Sequence, residues 1–379
     1  MGLKSLLLCS DEKIVRVIRR VLGDLEIEVE LCPNSDTVLR KLTRHRFEAI
    51  IVDFADEGSS EVLGSARSAP CNKHAVAMAI VEPEVGLKTV FDRGAHFVLY
   101  KPVSIERAKS TFRAARALMK SERRRNERIA VQVPIVLRGP HGSDTIHVKT
   151  VDLGEGGVAV HLPKRHRPAG IWNVSLSLPG IAKPVELPAE FAWEGQGEQA
   201  GLRFVQASPE AAQQLRDWLK KNSPDAEPDD PPIRCRLTDL SLGGCYLEAS
   251  SPFPARSRVI LSMKAAGVEL GAHGVVRVMH PDKGMGVEFA QASAAQREAL
   301  KKLLGLLKQD ATLQPELLVQ PDGLESEPAS HKALSENGPD DPLLRLFTRE
   351  ALTQHVFHEE LQKHRAKSSA ARAASASHP

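Results

Sequence analysis

A cluster of arginines and a glycine-rich acidic turn in the middle of the chain contain the residue types that bind a phosphate ester. The cluster is Arg123, Arg124, Arg125 and Arg128, and the turn is Asp152-Leu153-Gly154-Glu155-Gly156-Gly157. A guanidinium group can donate two parallel hydrogen bonds to the oxygens of one phosphate, and it can stack on the flat face of a base. Glycines allow a ligand to approach the backbone closely, and Asp152 can accept hydrogen bonds from the N–H donors of a guanine edge. The pattern indicates a site for a phosphate-containing nucleotide.

A second acidic turn belongs to an internal repeat. Residues 150–160 match residues 237–247 at an offset of 87, and residues 201–208 match residues 286–293 at an offset of 85. A repeat of this kind predicts two copies of one structural unit. The second copy has no arginine pair before its turn, and the nearest substitutes are Arg216 and Lys220 in the preceding helix. The second copy therefore lacks the basic residues that precede the turn of the first copy. Whether the second copy binds a ligand by itself or completes the first site stays open.

The combination resembles the PilZ domain, the bacterial receptor module for cyclic di-GMP, over about 121–221 and again over about 233–308. In the first copy Arg124 and Arg128 match the family's Arg-x-x-x-Arg pair, and Gly154 replaces the serine of its Asp-x-Ser-x-x-Gly motif. Loss of that hydroxyl predicts binding weaker by about 0.5–1.5 kcal/mol. The resemblance implies these cyclic di-GMP-binding residues: Arg124, Arg125, Arg128, Asp152, Gly154 and Gly157 in the first copy, and Asp239, Ser241 and Gly244 in the second.

Acidic residues also follow predicted strands near the amino terminus. Asp11 and Glu12 follow the first strand, Asp53 ends the third, and Lys101 follows the fifth. Carboxylates at strand ends can hold Mg²⁺, which neutralises an incoming phosphoryl group. Residues 4–120 resemble a response-regulator receiver domain, which implies Asp53 as phosphoryl acceptor, Lys101 as phosphate sensor and possible Mg²⁺ at Asp11, Glu12 and Asp53.

The amino-terminal sequence departs from the receiver family at two positions, so it resembles a degenerate receiver domain. Residues 78–82 read Met-Ala-Ile-Val-Glu and lack the expected hydroxyl, and Val98 stands where the family has an aromatic residue. In the family, the hydroxyl residue and the aromatic residue together form the conformational switch, and this chain has neither at the expected position. An acidic pocket kept in a docking or dimerising domain is therefore an alternative to phosphorylation of Asp53.

The surrounding patterns predict a multidomain chain. Five short apolar strands alternate with helices over residues 1–121, which indicates a doubly wound, flavodoxin-like parallel sheet. Period-two segments separated by turn residues over 122–221 and 233–308 predict two small antiparallel β-barrels, each followed by a helix. The second barrel lacks a counterpart of the first barrel's first strand. Residues 222–232 are predicted to be a linker, and residues 309–379 a mostly flexible tail with one helix near 342–365.

Composition excludes several classes of protein. The net charge is +3, from 51 basic and 48 acidic residues, and only 4% of residues are aromatic, which disfavours nucleic-acid binding. No apolar run approaches the roughly 18 residues of a membrane span. Five scattered cysteines without a CxxC pair favour a reduced, cytoplasmic protein. We find no enzymatic motif, including none for making or cleaving cyclic di-GMP.

The sequence therefore predicts a bacterial signalling receptor or adaptor without catalytic activity. Cyclic di-GMP binding at the barrels is expected to rearrange the receiver-like domain and control binding of a protein partner. One alternative is an interaction scaffold that uses no nucleotide. Another is a two-component response regulator driven by phosphorylation of Asp53.

Overall fold

The computed structural model describes residues 2–139, 145–162, 170–195, 198–205, 207–223, 228–290, 294–310, 312–325, 341–347 and 355–363. Contacts divide the chain into two compact units, residues 123–229 and residues 2–122 together with 230–379. Residues 224–227 of the predicted linker lie outside the described residues, as do residues 326–340, 348–354 and 364–379 of the predicted tail.

The amino-terminal domain is a five-stranded parallel sheet with the strand order β2-β1-β3-β4-β5. β3 and β4 are buried along their whole length, as expected of strands covered by helices on both faces. This arrangement confirms the predicted doubly wound sheet. The elements are β1 Leu3–Leu8, α1 Glu12–Asp24, β2 Ile27–Cys32, α2 Ser35–Leu42, β3 Ala49–Asp53, α3 Ser59–Ser68, β4 Val76–Val81, α4 Leu87–Asp92, β5 Phe97–Tyr100 and α5 Ile105–Asn126.

Helix α5 continues to Asn126 and so contains three of the four arginines of the cluster. Arg123, Arg124 and Arg125 lie in its last turn. Basic side chains are favourable there because the helix dipole is negative at its carboxyl end.

The first barrel is antiparallel, and its closure confirms the prediction. Its strands run in the order β6-β8-β7-β10-β11-β12-β9, and a further pairing of β8 with β9 closes six of them. Leu215, Trp218 and Leu219 of α6 join the apolar core inside the barrel. The elements are β6 Arg128–Ile129, β7 Pro134–Arg138, β8 Thr145–Gly154, β9 Gly157–His161, β10 Ile171–Leu176, β11 Val185–Glu194, β12 Gln199–Phe204 and α6 Pro209–Asn222.

The second barrel is also closed and antiparallel, with the strand order β13-β14-β17-β16-β15-β18. Its interior is filled by residues such as Leu247, Leu261, Met263, Val287 and Val319, all fully buried. The elements are β13 Ile233–Leu240, β14 Gly244–Glu248, β15 Ser257–Ala265, β16 Val268–His280, β17 Gly284–Phe289, α7 Ala294–Gln309, β18 Glu316–Leu324 and α8 Pro342–Phe347. A further helix, α9, spans 355–363.

Strand β18 corrects the prediction that residues 309–379 are mostly flexible. It pairs with β13 and β15, the place that β7 takes between β8 and β10 in the first barrel. The second barrel is therefore a circular permutation of the first, with the missing first strand supplied from after α7. The predicted helix near 342–365 is confirmed in its described parts, since Pro342–Phe347 (α8) and residues 355–363 (α9) are both helical.

Within the larger unit, α5 of the amino-terminal domain contacts the second barrel. The hydroxyl of Ser251 donates to that of Ser110 at 2.7 Å. Farther along α5, Arg116 and Lys120 both donate to one carboxylate oxygen of Asp230, at 2.7 and 3.0 Å. These contacts hold the amino-terminal domain and the second barrel in one compact body.

In the described part of the chain, no helix has both the length and the apolar character needed to cross a membrane.

Candidate functional site

Strand pairing brings the two predicted motifs of the first barrel together. β6 pairs with β8, which places Arg128 opposite Gly154. Arg128 Nε donates to Asp152 Oδ1 at 2.6 Å, and the two side chains are 39% and 30% exposed. A charge-assisted hydrogen bond of this length fixes the guanidinium.

The other motif arginine, Arg124, is held by a carboxylate of its own chain. Asp229, from the predicted linker, forms ion pairs with both Arg124 and Lys220. Partial burial opposes the charged form of Asp229, but these two cations outweigh it and hold the pKa of its carboxyl below the usual value. A phosphate that binds Arg124 must therefore compete with Asp229. Arg125 lies partly buried in the same helical turn.

Gly154 and Gly157 are required by packing. A Cβ at Gly154 would lie 2.9 Å from the carbonyl oxygen of Glu127 and 3.3 Å from Cγ of Arg128. A Cβ at Gly157 would collide with the carbonyl oxygen of Leu202 on β12. The glycine at 154 thus lets the arginine-bearing segment lie against β8, which a serine would obstruct. The substitution for the family's serine therefore has a structural cause.

Two residues that sequence reasoning missed lie on the same outward face. Gly157 pairs with Arg203 on β12, and Gly201, two residues earlier, pairs with Trp193 on β11. Directly paired residues of antiparallel strands point to the same side of a sheet. The Trp193 indole lies against Gly201, where any Cβ would collide with it, and is 44% exposed. The repeat around Gly201 was a signal that could have drawn attention to Arg203.

The outward face of the first barrel therefore has a floor of small residues between two sets of charged, polar and aromatic side chains that are candidates for ligand binding. Arg128 and Asp152 stand on one side, and Arg203 and Trp193 on the other. Arg203 is ion-paired with Glu190 and remains 64% exposed. Such a surface can accept a flat, anionic ligand, because cationic groups and an aromatic ring surround backbone that is open to close approach.

The corresponding turn of the second barrel is arranged differently. Ser241 Oγ exchanges hydrogen bonds with the N–H and carbonyl of Gly244, both at 3.0 Å, so its hydroxyl stabilises the turn itself. The position equivalent to Arg203 is Glu288, which Arg277 holds at 2.6 Å. Asp239 lies on β13 beside Tyr246. The turn of the second barrel contains the full Asp-x-Ser-x-x-Gly motif. However, the sheet face beside this turn carries the acidic Glu288 where the first barrel has the basic Arg203.

The acidic pocket of the amino-terminal domain contains Asp53, which is only 2% exposed. Lys101 Nζ lies 2.9 Å from Asp53 Oδ2 and 3.3 Å from Glu82 Oε1, so the structure brings Lys101 and Asp53 together. Although burial opposes it, the hydrogen bond to Asp53 raises the pKa of Lys101.

The predicted Mg²⁺ ligands do not fit a metal. Asp11 Oδ1 caps α1 by accepting from the N–H groups of Lys13 and Ile14, at 2.7 and 3.3 Å. Glu12 lies exposed in the first turn of α1. The side chain that faces Asp53 is instead Cys9, whose Sγ lies 3.7 Å from Asp53 Oδ2.

Burial, with the charge of Asp53, raises the pKa of the Cys9 thiol to about 12, so a neutral thiol stands beside Asp53. Among the described residues, no group of three or more His, Cys, Asp or Glu side chains is arranged to hold a metal ion. The donor set therefore does not suit Mg²⁺, which prefers oxygen ligands.

Comparison with known families agrees with the two barrels. The sequence profile described as "PilZ domain" matches residues 122–221 and 223–306. The chain carries two PilZ domains in tandem. The second match ends before β18, the strand that completes the second PilZ domain.

Solved structures with similar segments include the PilZ domain of CeSA from a cellulose-synthesizing bacterium, at 21% identity and TM-score 0.21, covering 24% of this chain and 91% of that one. A chemotaxis response regulator of Vibrio cholerae is 22% identical with TM-score 0.28, covering 30% of this chain and 99% of that one. A response regulator from Hahella chejuensis is 19% identical with TM-score 0.27, covering 32% and 95%. Among curated proteins, no relative matches this chain.

Proposed function

We propose that the first PilZ domain binds cyclic di-GMP and that the protein is a non-catalytic signalling adaptor. The observation that carries this proposal is the 2.6 Å hydrogen bond from Arg128 to Asp152, which joins the arginine cluster to the acidic turn. Arg124 and Arg128 would bind phosphate oxygens, and Asp152 would accept from the guanine edge.

Ligand binding would take place on the outward face of the first PilZ domain. Gly154 and Gly157 leave the backbone open, and Trp193 offers a ring on which a base could stack. Arg203 adds a second cationic group beside that ring. The second PilZ domain is assigned no nucleotide, because Glu288 stands where Arg203 would be needed.

The proposed coupling runs through α5. Arg124 lies in the last turn of this helix, which begins in the receiver-like domain at Ile105. A ligand that releases Arg124 from Asp229 would alter the end of α5 and the adjoining linker. It can shift the protein between two arrangements only if it binds one better than the other. We expect the changed arrangement to control binding of a protein partner in the cytoplasm.

The phosphorylation-driven alternative has less support. Asp53 is buried, is paired with Lys101, and faces a thiol where a receiver needs a metal-binding carboxylate. We therefore assign the receiver-like domain a docking role within the larger unit.

Calorimetric titration with cyclic di-GMP tests the binding. Wild type should bind, the Arg124→Ala/Arg128→Ala variant should lose at least about tenfold in affinity, and Arg138→Ala should bind like wild type. Arg138 is a suitable control because it is an exposed arginine of β7, paired with Glu186 on the same barrel. Absence of heat with folded wild type would refute the proposal.

A further inference from the structure

The carboxyl-terminal segment, defined as residues 341–347 and 355–363, covers part of the outside of the second PilZ domain. Its apolar side chains form a cluster with Tyr246 of β14, against which Val278 also packs. The buried members from the segment are Leu343, Leu344, Leu346, Phe347, Phe357 and Leu361. This cluster is separate from the core inside the barrel.

The segment lies on a floor of glycines. The three atoms nearest to a Cβ at Gly243 would all belong to the segment, namely Cδ1 and Cγ of Leu344 and Oδ2 of Asp341. A Cβ at Gly244 would lie 3.0 Å from Leu344 Cδ2 and would also meet the backbone of β17. A Cβ at Gly286 would collide with the ring of Phe347. The surface is therefore complementary in shape to two apolar side chains.

A single carboxylate fixes the register of the segment. Asp341 Oδ2 accepts from the N–H of Gly243 at 3.0 Å. Its Oδ1 accepts from the N–H groups of Leu343 and Leu344, at 3.0 and 3.3 Å, and so caps α8. Asp341, Leu344 and Phe347 contact the barrel at intervals of three residues, so one helical face carries all three contacts.

This surface corresponds to the ligand face of the first PilZ domain. By the repeat, Gly244 is equivalent to Gly157 and Gly286 to Gly201. The segment takes no part in closing the barrel, whose six strands pair with one another without it. The barrel therefore does not need the segment for its own ladder or core.

We propose that the second PilZ domain is a helix-binding module. Its glycine-floored outer face binds an amphipathic helix with the pattern Asp-x-x-Leu-x-x-Phe, and the carboxyl-terminal segment, residues 341–347 and 355–363, is its ligand within the chain. A partner protein with a helix of that pattern would bind by displacing this segment. Because the resident segment is tethered, it competes at a high effective concentration. The proposal does not rest on nucleotide binding by the first domain.

Fluorescence anisotropy with a labelled synthetic peptide of residues 340–365 tests this proposal on full-length chains. Leu344→Asp/Phe347→Asp releases the resident segment and leaves the barrel face intact, so this variant should bind the peptide. Wild type should bind at least about tenfold more weakly, because its face is occupied. The Gly243→Ala/Leu344→Asp/Phe347→Asp variant should bind at least about tenfold more weakly than the released variant, because its face is obstructed.

Gly271→Ala in the released background is the matched control, since a Cβ at Gly271 meets nothing within 4 Å. It should bind the peptide like the released variant. Hydrogen exchange of residues 355–363 supplies a second measurement, with faster exchange expected in Gly243→Ala alone and unchanged exchange in Gly271→Ala alone. A folded released variant that ignores the peptide, or equal exchange in the two glycine variants, would overturn the proposal.

Discussion

The guanidinium of Arg124 is ion-paired with the carboxylate of Asp229, which also holds Lys220. Arg124, a residue of the proposed phosphate site, is thus already ion-paired with a carboxylate of the chain's own acidic linker. This pairing makes Asp229 an internal competitor of an anionic ligand.

Asp229→Asn should therefore strengthen binding of cyclic di-GMP. Partly exposed ion pairs contribute about 0.2–1 kcal/mol, so the expected gain in affinity is about 1.4- to fivefold. Calorimetry at low and high salt measures it, and the gain should shrink as salt screens the pair. Asp217→Asn on α6 removes the same charge away from Arg124 and should leave affinity unchanged. Unchanged or weaker binding by Asp229→Asn would contradict the competition.

Gly154→Ser restores the family's motif but should weaken binding. The added Cβ would press on the backbone of Glu127 and on Arg128, displacing the segment that carries the arginine. We expect a loss of at least about tenfold in affinity, equal to about 1.4 kcal/mol. Gly156→Ala is the control, since a Cβ there meets nothing within 4 Å. Tighter binding by Gly154→Ser would show that the missing hydroxyl matters more than packing.

Trp193 should report ligand binding through its fluorescence. Of the three tryptophans, Trp172 and Trp218 are buried in the barrel core, whereas Trp193 is 44% exposed. Stacking of a guanine on its indole should change the emission on titration with cyclic di-GMP. In Trp193→Phe the change should disappear while affinity falls by less than about tenfold. A signal that survives in Trp193→Phe would place the ligand elsewhere.

Acid should destabilise the second PilZ domain through His280 of β16. Burial, and then the positive charges of His358 and Lys283, lower the pKa of His280 from 6.5 to about 4. His280 Nδ1 also lies 3.0 Å from the hydroxyl of Tyr246. Because the folded state disfavours the protonated form, this contribution to stability is complete above pH 6.5 and is lost as the pH falls towards 4.

Urea unfolding at pH 7 and pH 5 measures this loss, which should be about 2 kcal/mol larger in wild type than in His280→Gln. The comparison of the two chains is needed because buried His96, with its pKa lowered to about 3, shifts stability in the same direction in both. Equal losses in wild type and His280→Gln would contradict the assignment to His280.

The sequence pattern predicted the elements that rest on local periodicity. The continuous apolar strands β3 and β4 and the alternating strands of the first barrel were found where expected. In each case one short stretch contained the whole signal. The meeting of Arg128 with Asp152, 24 residues apart, was indicated by the resemblance to the PilZ motifs and not by local periodicity.

Long-range pairing could not be predicted in the same way. β18 contains Pro321 and Gly323, which weaken its strand pattern, and only pairing with β13 and β15 makes it a strand. Similarly, the order of acidic residues suggested Asp11 as a metal ligand, whereas the fold uses it as a helix cap and turns Cys9 towards Asp53. A carboxylate in a sequence does not reveal which donors it will meet.

Hydrogen exchange with and without saturating cyclic di-GMP tests the central claim most directly, because it locates the ligand on the chain. We expect slower hydrogen exchange at residues 123–129 and 150–158 of the first PilZ domain, with no change over 239–246 in the second. Protection confined to 239–246, or no protection anywhere at saturation, would contradict it.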